Sequence, residues 1–371
     1  MPKRLRIIAF ASWYPQPANP RLGNFVRRHI EAIAEQHQVV VISAFEGSGT
    51  QIHIIQEKSF KEVAVEFPKK LPLYSYLKAL QRGFRKVLEQ DSEFDLCHIH
   101  VAYPAGLMAF KTRLPYVITE HFSGYQPGVK FKWSLMQKKL SQRIIRKAKH
   151  LTPVTSQLGE AMNQFAKTNI DITPIANVVD TKVFKPLKRP PNPVFTFLHI
   201  STLEEKSKNI TGILKGFKKL ADQKRNFKLK IGGDGDLTEL EKKIEQVGLS
   251  RQKVEIIPPS PSKIIAELMK QADALVMFSH YENQPCTILE SLCCGTPVVS
   301  SNVGGIADVL HPGNGILVEA ENEAKFLSAL SRMMDEQEQF DRLQIAKEAE
   351  ARFSPGAILD QFNKVYASVL S

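Results

Sequence analysis

Cysteine is scarce. The four thiols, Cys97, Cys286, Cys293 and Cys294, follow no paired spacing in 371 residues, which excludes a disulfide framework and points to reduced thiols in a cytosolic protein. No stretch approaches the roughly 18–20 uninterrupted apolar residues of a membrane span, so membrane contact is expected to be peripheral. The opening MPKRLRIIAFASWYP imitates a signal peptide, but its apolar run is short and is closed by Trp13, Tyr14 and Pro15; it reads as a first β-strand. Internal repeats and low-complexity tracts are lacking, and proline and glycine are spread along the chain, so a fibrous or disordered protein does not fit. Acidic residues are few in the first half: residues 1–186 carry a net +13, residues 187–371 a net −1. That asymmetry implies an anionic partner for the first half, either nucleic acid or an acidic membrane surface.

What is present is a 43% hydrophobic chain long enough for two or three cores. Short runs rich in Val, Ile and Phe alternate with amphipathic stretches, the pattern of βαβ units and parallel sheets. Strands are predicted over residues 6–10, 39–43, 95–100, 116–119, 150–154 and 172–175, with helices over 24–35 and 73–89 and an extra hairpin between 52 and 67. Residues 180–193, DTKVFKPLKRPPNP, hold four prolines and four basic residues and read as a linker. Alternation then restarts with VFTFLHI, FKLKIGG, VEII, ALVMF and PVVSS. The expected fold is α/β, with two doubly wound, Rossmann-like domains facing a central cleft onto which strand C-terminal ends open.

The stretch HYENQPCTILESLCCGTPVVSSNVGG, residues 280–305, follows one of these strands. Glu282 lies in a loop and Glu290 eight positions later in a helix-like segment. Amides at that helix start can hold phosphate or sugar oxygens, and an acid about a turn inside can accept hydrogen bonds from vicinal hydroxyls, as in dinucleotide folds. A capping carboxylate with a solvated second acid is an equal reading of two acids at this spacing.

The pattern Glu, seven residues, Glu, then CGTPVV and Gly304-Gly305 resembles the signature of the retaining glycosyltransferase family 4, whose fold is GT-B. WYPQPANPRLGNFVRRHIEAI, HIHVAYPAGLMA, VITEHFSGY and IANVVDTKVFKP resemble family segments in family order. The resemblance implies an acceptor-binding domain over residues 1–186, a nucleotide-sugar-binding domain over 187–354, and a helix, 355–371, returning to the first domain. It implies a nucleotide-diphosphate sugar as donor, a glycan or lipid-linked acceptor of the polysaccharide or glycolipid type, retention of configuration, and no cofactor or metal. By position, Glu282 would contact donor-sugar hydroxyls and Glu290 the ribose. Asn283, Gln284, Pro285 and Cys286 would lie along sugar or phosphate. Lys208 would pair with the diphosphate, where a fixed cation stabilises leaving-group charge. Gly23, before the first helix, would let the backbone approach that diphosphate, and His121 would lie near the transferred sugar.

One departure from the family pattern is Thr202, where an Arg six residues before the Lys is common. Thr202 offers one hydrogen bond and no charge, so other cations, such as Lys206 or Arg27, would have to substitute. The loop Glu282-Asn283-Gln284-Pro285 likewise replaces the commoner Glu-Gly-Phe-Gly and leaves the sugar open. GGDGD, residues 232–236, lacks the full GxGxxG order of a dinucleotide enzyme. His98 and His100 share one strand face; further metal ligands are not evident from spacing, and His100 is placed on the acceptor side. Residues 129–150 hold eight Lys/Arg and no acid, interleaved with apolar side chains. They read as a basic amphipathic helix, either packed on its own sheet or lying on anionic lipid at the inner face of a membrane. No nucleic-acid recognition motif accompanies it. A nucleotide-sugar epimerase, a glycan phosphorylase, or a sensor without turnover are the other readings of the same architecture.

Overall fold

The computed structural model describes residues 3–70, 72–91, 93–126, 129, 131–188, 190 and 192–371. Lys130 of the basic stretch and Arg189 and Pro191 of the linker lie outside them. Two compact units are present: Met1–Val178 together with Pro355–Ser371, and Val179–Ser354.

The first unit contains strands β1 (Arg6–Ala11), β2 (Gln38–Glu46), β3 (Ile52–Gln56), β4 (Phe60–Phe67), β5 (Leu96–His100), β6 (Tyr116–Thr119) and β7 (His150–Leu151). Its helices are α1 (Asn24–Ala34), α2 (Pro72–Leu88), α3 (Ala109–Thr112), α4 (Leu135–Lys147) and α5 (Ser156–Ala166). The sheet order is β3-β4-β2-β1-β5-β6-β7, parallel except for the antiparallel β3–β4 hairpin. Strand β1 is apolar from Ile7 to Ala11 because both its faces are covered there. Ile8 and Phe10 join one core with Val40, Ile42 and Leu80. Ile7 and Ala9 join the other with Val26, Ile30 and Ile33 of α1.

The second unit contains β8 (Phe195–Ser201), β9 (Phe227–Gly233), β10 (Val254–Ile257), β11 (Ala274–Met277), β12 (Val298–Ser301) and β13 (Gly315–Val318). Its helices are α6 (Glu205–Lys208), α7 (Ile210–Asp222), α8 (Leu237–Val247), α9 (Ser262–Gln271), α10 (Cys286–Cys293), α11 (Glu323–Asp335) and α12 (Arg342–Phe353). The sheet order is β10-β9-β8-β11-β12-β13, a doubly wound arrangement whose order reverses between β8 and β11. A last helix, α13 (Pro355–Leu370), packs in the first unit, where Ile358, Phe362, Val365 and Tyr366 are buried.

Three sequence expectations change in detail. The strands over 150–154 and 172–175 shrink to β7 and a single bridge between Leu151 and Ile172, because Pro153 and Pro174 each remove an N–H from the ladder. The first unit ends at Val178 and not at 186: Val179 N donates to Phe353 O, and Phe184 is buried at 1% exposure. The basic helix is confined to α4, started by a capping box between Ser134 and Gln137.

Candidate functional site

In the second unit the loops after β8 and β11 flank the reversal in strand order, where open parallel sheets hold ligands. His199 ties the two strands. Its Nδ1–H donates to Val276 O at 2.8 Å, and the Ser201 hydroxyl donates to Nε2 at 2.8 Å. Burial, with a smaller push from Lys208, keeps this ring neutral, its pKa down at about 4.

Beyond these strand ends the two loops are knitted together. His280 N donates to Ser207 O at 2.9 Å. Lys208 Nζ donates to Glu282 Oε1 at 2.5 Å, and Ser279 Oγ donates to the same oxygen at 2.8 Å. Ser301 Oγ holds the Ser279 carbonyl at 2.7 Å. Sequence reasoning named Lys208 and Glu282 and missed Ser279 and Ser301, whose type and spacing carry no signal. Gly304 has φ +57°, and a Cβ there would collide with the Glu282 carbonyl; Gly305 N donates to Asn283 O at 2.9 Å. The Gly304-Gly305 pair is therefore the backrest of the Glu282–Asn283 loop.

Gln284 and Pro285 are buried, and Asn283 and Cys286 are half-buried. Pro285 precedes α10 without a side-chain cap. Glu290, within α10, is 7% exposed and Glu282 8%, so neither acid is the solvated surface residue that the spacing alone permitted. Thr202 is exposed at the end of β8, beneath the Gly-rich turn after β9, where a Cβ on Gly235 would strike its carbonyl. Of the two cations considered in place of the missing arginine, Lys206 is exposed. Arg27 is engaged by Glu31 at 3.1 Å, Glu57 at 2.6 Å and Glu62 at 3.5 Å.

In the first unit, Gly23 precedes α1 with φ +65°, and a Cβ on it would lie 2.6 Å from the Trp13 carbonyl. The requirement for glycine is thus steric as well as conformational. His121 follows β6 and packs beside Phe25 of α1, ring centroids 4.5 Å apart. Trp13 contacts Phe25 and Phe122 edge to face, so Gly23 and His121 belong to one aromatic cluster at the C-terminal edge of the sheet. The loop is clamped by the Glu120 carboxylate, which accepts N–H bonds from Ala102, His121 and Phe122 at 2.9, 2.8 and 2.9 Å. Burial nevertheless raises its pKa to about 7.

His100 corrects an expectation. It is fully buried and stacked on His98 with ring centroids 4.0 Å apart, so it presents no surface to an acceptor. His98 is itself held by Tyr366 Oη at 2.8 Å and Thr119 Oγ1 at 2.7 Å.

A family model described as Glycosyl transferases group 1 matches residues 180–352, and one described as Glycosyltransferase Family 4 matches residues 22–183. N-acetyl-alpha-D-glucosaminyl L-malate synthase of Bacillus anthracis is 24% identical over 336 residues, 84% of each chain. D-inositol 3-phosphate glycosyltransferase of Thermomonospora curvata is 33% identical over 129 residues; that match spans 34% of this chain and 30% of the relative's length. Among solved structures, Anabaena HepE in complex with UDP superposes with a TM-score of 0.72 at 17% identity, covering 98% of this chain and 100% of that one. With two doubly wound units of the GT-B kind and the two family models matched in chain order, this chain belongs to the family 4, group 1 glycosyltransferases.

Proposed function

We propose that the protein transfers a hexose-type sugar from a nucleotide-diphosphate donor, with retention and without a metal, to a glycan or lipid-linked acceptor in cell-surface polysaccharide or glycolipid synthesis. The observation that carries this reading is the Lys208–Glu282 pair at 2.5 Å beside the reversal point of the second sheet, with buried Glu290 in the helix that follows. Anabaena HepE, of the same fold, holds UDP, which supports a nucleotide donor here.

Lys208 neutralises the diphosphate and turns from Glu282 toward the departing phosphate as charge develops there. Glu282 is thereby available to donor-sugar hydroxyls, Glu290 takes the ribose hydroxyls, and residues 283–286 line sugar and phosphate. Thr202 contributes one hydrogen bond. In the first unit, Gly23 is assigned to the diphosphate and His121 to a hydroxyl of the transferred sugar. In the transfer step the C1–O bond to the phosphate breaks and a bond from the acceptor oxygen to C1 forms on the same face. The acceptor proton passes to the leaving phosphate oxygen. Glu282 positions the sugar and is not a nucleophile.

The protein acts on the cytoplasmic face of a membrane, docked through α4. Leu135 and Met136 at its start are 81% and 58% exposed, beside exposed Lys138 and Lys139, while Ile144 and Ile145 at its far end are buried. Apolar anchors next to lysines suit anionic lipid.

Thermal shift against UDP-, GDP- and ADP-sugars tests the donor, since a ligand bound only by the folded state raises Tm. Proton NMR of the product's anomeric coupling then tests retention. Silence toward every nucleotide sugar overturns the donor reading, and an inverted product overturns the mechanism.

A further inference from the structure

His29 of α1, His100 of β5 and His121 after β6 come from separate segments, yet each brings a ring nitrogen to within 4.8 Å of the other two. Ring centroids of His29 lie 5.4 Å from those of His121 and 6.2 Å from those of His100. His29 Nε2–H donates to the Ala176 carbonyl at 2.9 Å, which fixes its tautomer and leaves a lone pair on Nδ1. That Nδ1 and both nitrogens of His100 are buried without a hydrogen-bond partner among the described residues. Asn177 hydrogen-bonds the His121 side chain. Phe362 stands edge-on to His29, and His98, its own nitrogens already bonded, closes one side of His100.

We infer that His29 Nδ1, one ring nitrogen of His100 and one of His121 form a binding site for a divalent cation of the Zn2+ class. The ligand chemistry fits. Three imidazoles with no carboxylate among them favour Zn2+, Co2+ or Ni2+ over Mg2+ or Ca2+. Burial holds the three rings neutral, the form that ligates. The His29–carbonyl bond is the outer-shell contact that orients a ligating histidine. Tetrahedral Zn–N bonds of about 2.0–2.1 Å place ligand nitrogens about 3.4 Å apart, so modest ring rotations close the triad. A cation gives the buried lone pairs of His29 and His100 the partner they lack. It also takes a nitrogen of His121, so metal and a sugar hydroxyl compete for that ring.

The test uses the tag-free full chain, stripped with a chelator and titrated with Co2+ or Zn2+ alone. The expected result is one Zn2+ per chain after gel filtration, and visible ligand-field bands with paramagnetically shifted imidazole N–H signals for Co2+. His29→Gln keeps a donor for Ala176 and removes the ligand nitrogen, and His100→Phe keeps the stack on His98. Each is expected to weaken Co2+ binding at least about 100-fold, beyond the roughly 10–100-fold of outer-shell changes, with an unchanged circular dichroism spectrum. Absence of stoichiometric metal and of shifted imidazole signals in the unmutated protein overturns the inference, as does unweakened binding in folded His29→Gln. Should either variant fail to fold, the unmutated protein's cobalt spectrum decides alone. No sugar is present in these measurements, so their outcome is independent of whether His121 serves transfer.

Discussion

Lys208 Nζ and Glu282 Oε1 meet at 2.5 Å with side chains 16% and 8% exposed, so each charge is the principal neutraliser of the other. Replacing either alone strands its partner in a poorly solvated place. Lys208→Ala is expected to weaken donor binding by about 10–100-fold, that is about 1.4–2.8 kcal/mol. Isothermal titration with the nucleotide diphosphate reads this directly, and an unchanged affinity removes Lys208 from the diphosphate site.

Glu282→Gln keeps the shape and one acceptor while removing the charge. It is expected to lower kcat by at least about tenfold with little change in KM. Glu290→Ala is expected to do the opposite, raising the donor KM about tenfold through lost ribose hydrogen bonds. Steady-state kinetics on both variants separates the roles, and the reversed pattern exchanges them.

Gly304→Ala meets two obstacles at once: the backbone has φ +57° and the new methyl collides with the Glu282 carbonyl. A cost of about 1–3 kcal/mol is expected, together with a displaced Glu282 and a fall in kcat. A variant with the parent's Tm and kcat contradicts the role given to Gly304.

Acid lowers stability, and the sign follows from the buried histidines. His29 and His98 have pKa values lowered by burial to about 4 and about 3, and His100 and His121 also lie well below 6.5. Below about pH 6.5 the unfolded chain therefore binds protons that the native protein refuses. Their contribution is complete above pH 6.5 and is lost progressively toward pH 4 and 3. Glu120 runs the other way: raised from 4.5 to about 7, its contribution is present below 4.5 and lost as pH rises through 7. The four histidines outweigh it between pH 4.5 and 6.5. Urea midpoints measured with a chelator present are expected to rise across that window, each histidine contributing at most about 1.4 kcal/mol per pH unit. A flat profile contradicts the buried, neutral cluster.

Lipid association is expected to depend on the start of α4. Leu135→Ser combined with Lys138→Ala and Lys139→Ala should reduce sedimentation with anionic liposomes several-fold. Arg146 is a poor probe, because its Nε bonds the Ala166 carbonyl at 2.6 Å. Undiminished sedimentation of the triple variant shows that α4 is not the contact.

Strand positions were legible because strands covered on both faces, such as residues 7–11 and 274–277, are apolar without interruption. The end of the 150–154 strand was not, since Pro153 acts on a ladder that periodicity does not see. Glu282, Glu290 and Lys208 were legible through a pattern of residues close in sequence. The histidine cluster was not: His29 lies within an amphipathic helix, 71 positions before His100, and only the sheet order joins them. Gly304 stood in plain view as half of a glycine pair, but its purpose depends on a carbonyl 22 residues earlier.

The hydrophobic face that α13 covers belongs to strands and helices synthesised first, whereas Ile358, Phe362, Val365 and Tyr366 leave the ribosome only after the whole second unit. During that interval the nascent first unit carries an open greasy seam, and His98 waits for the tyrosine that bonds it. Translation speed and chaperone shielding thus bear directly on yield, and a stall before codon 355 leaves an aggregation-prone intermediate.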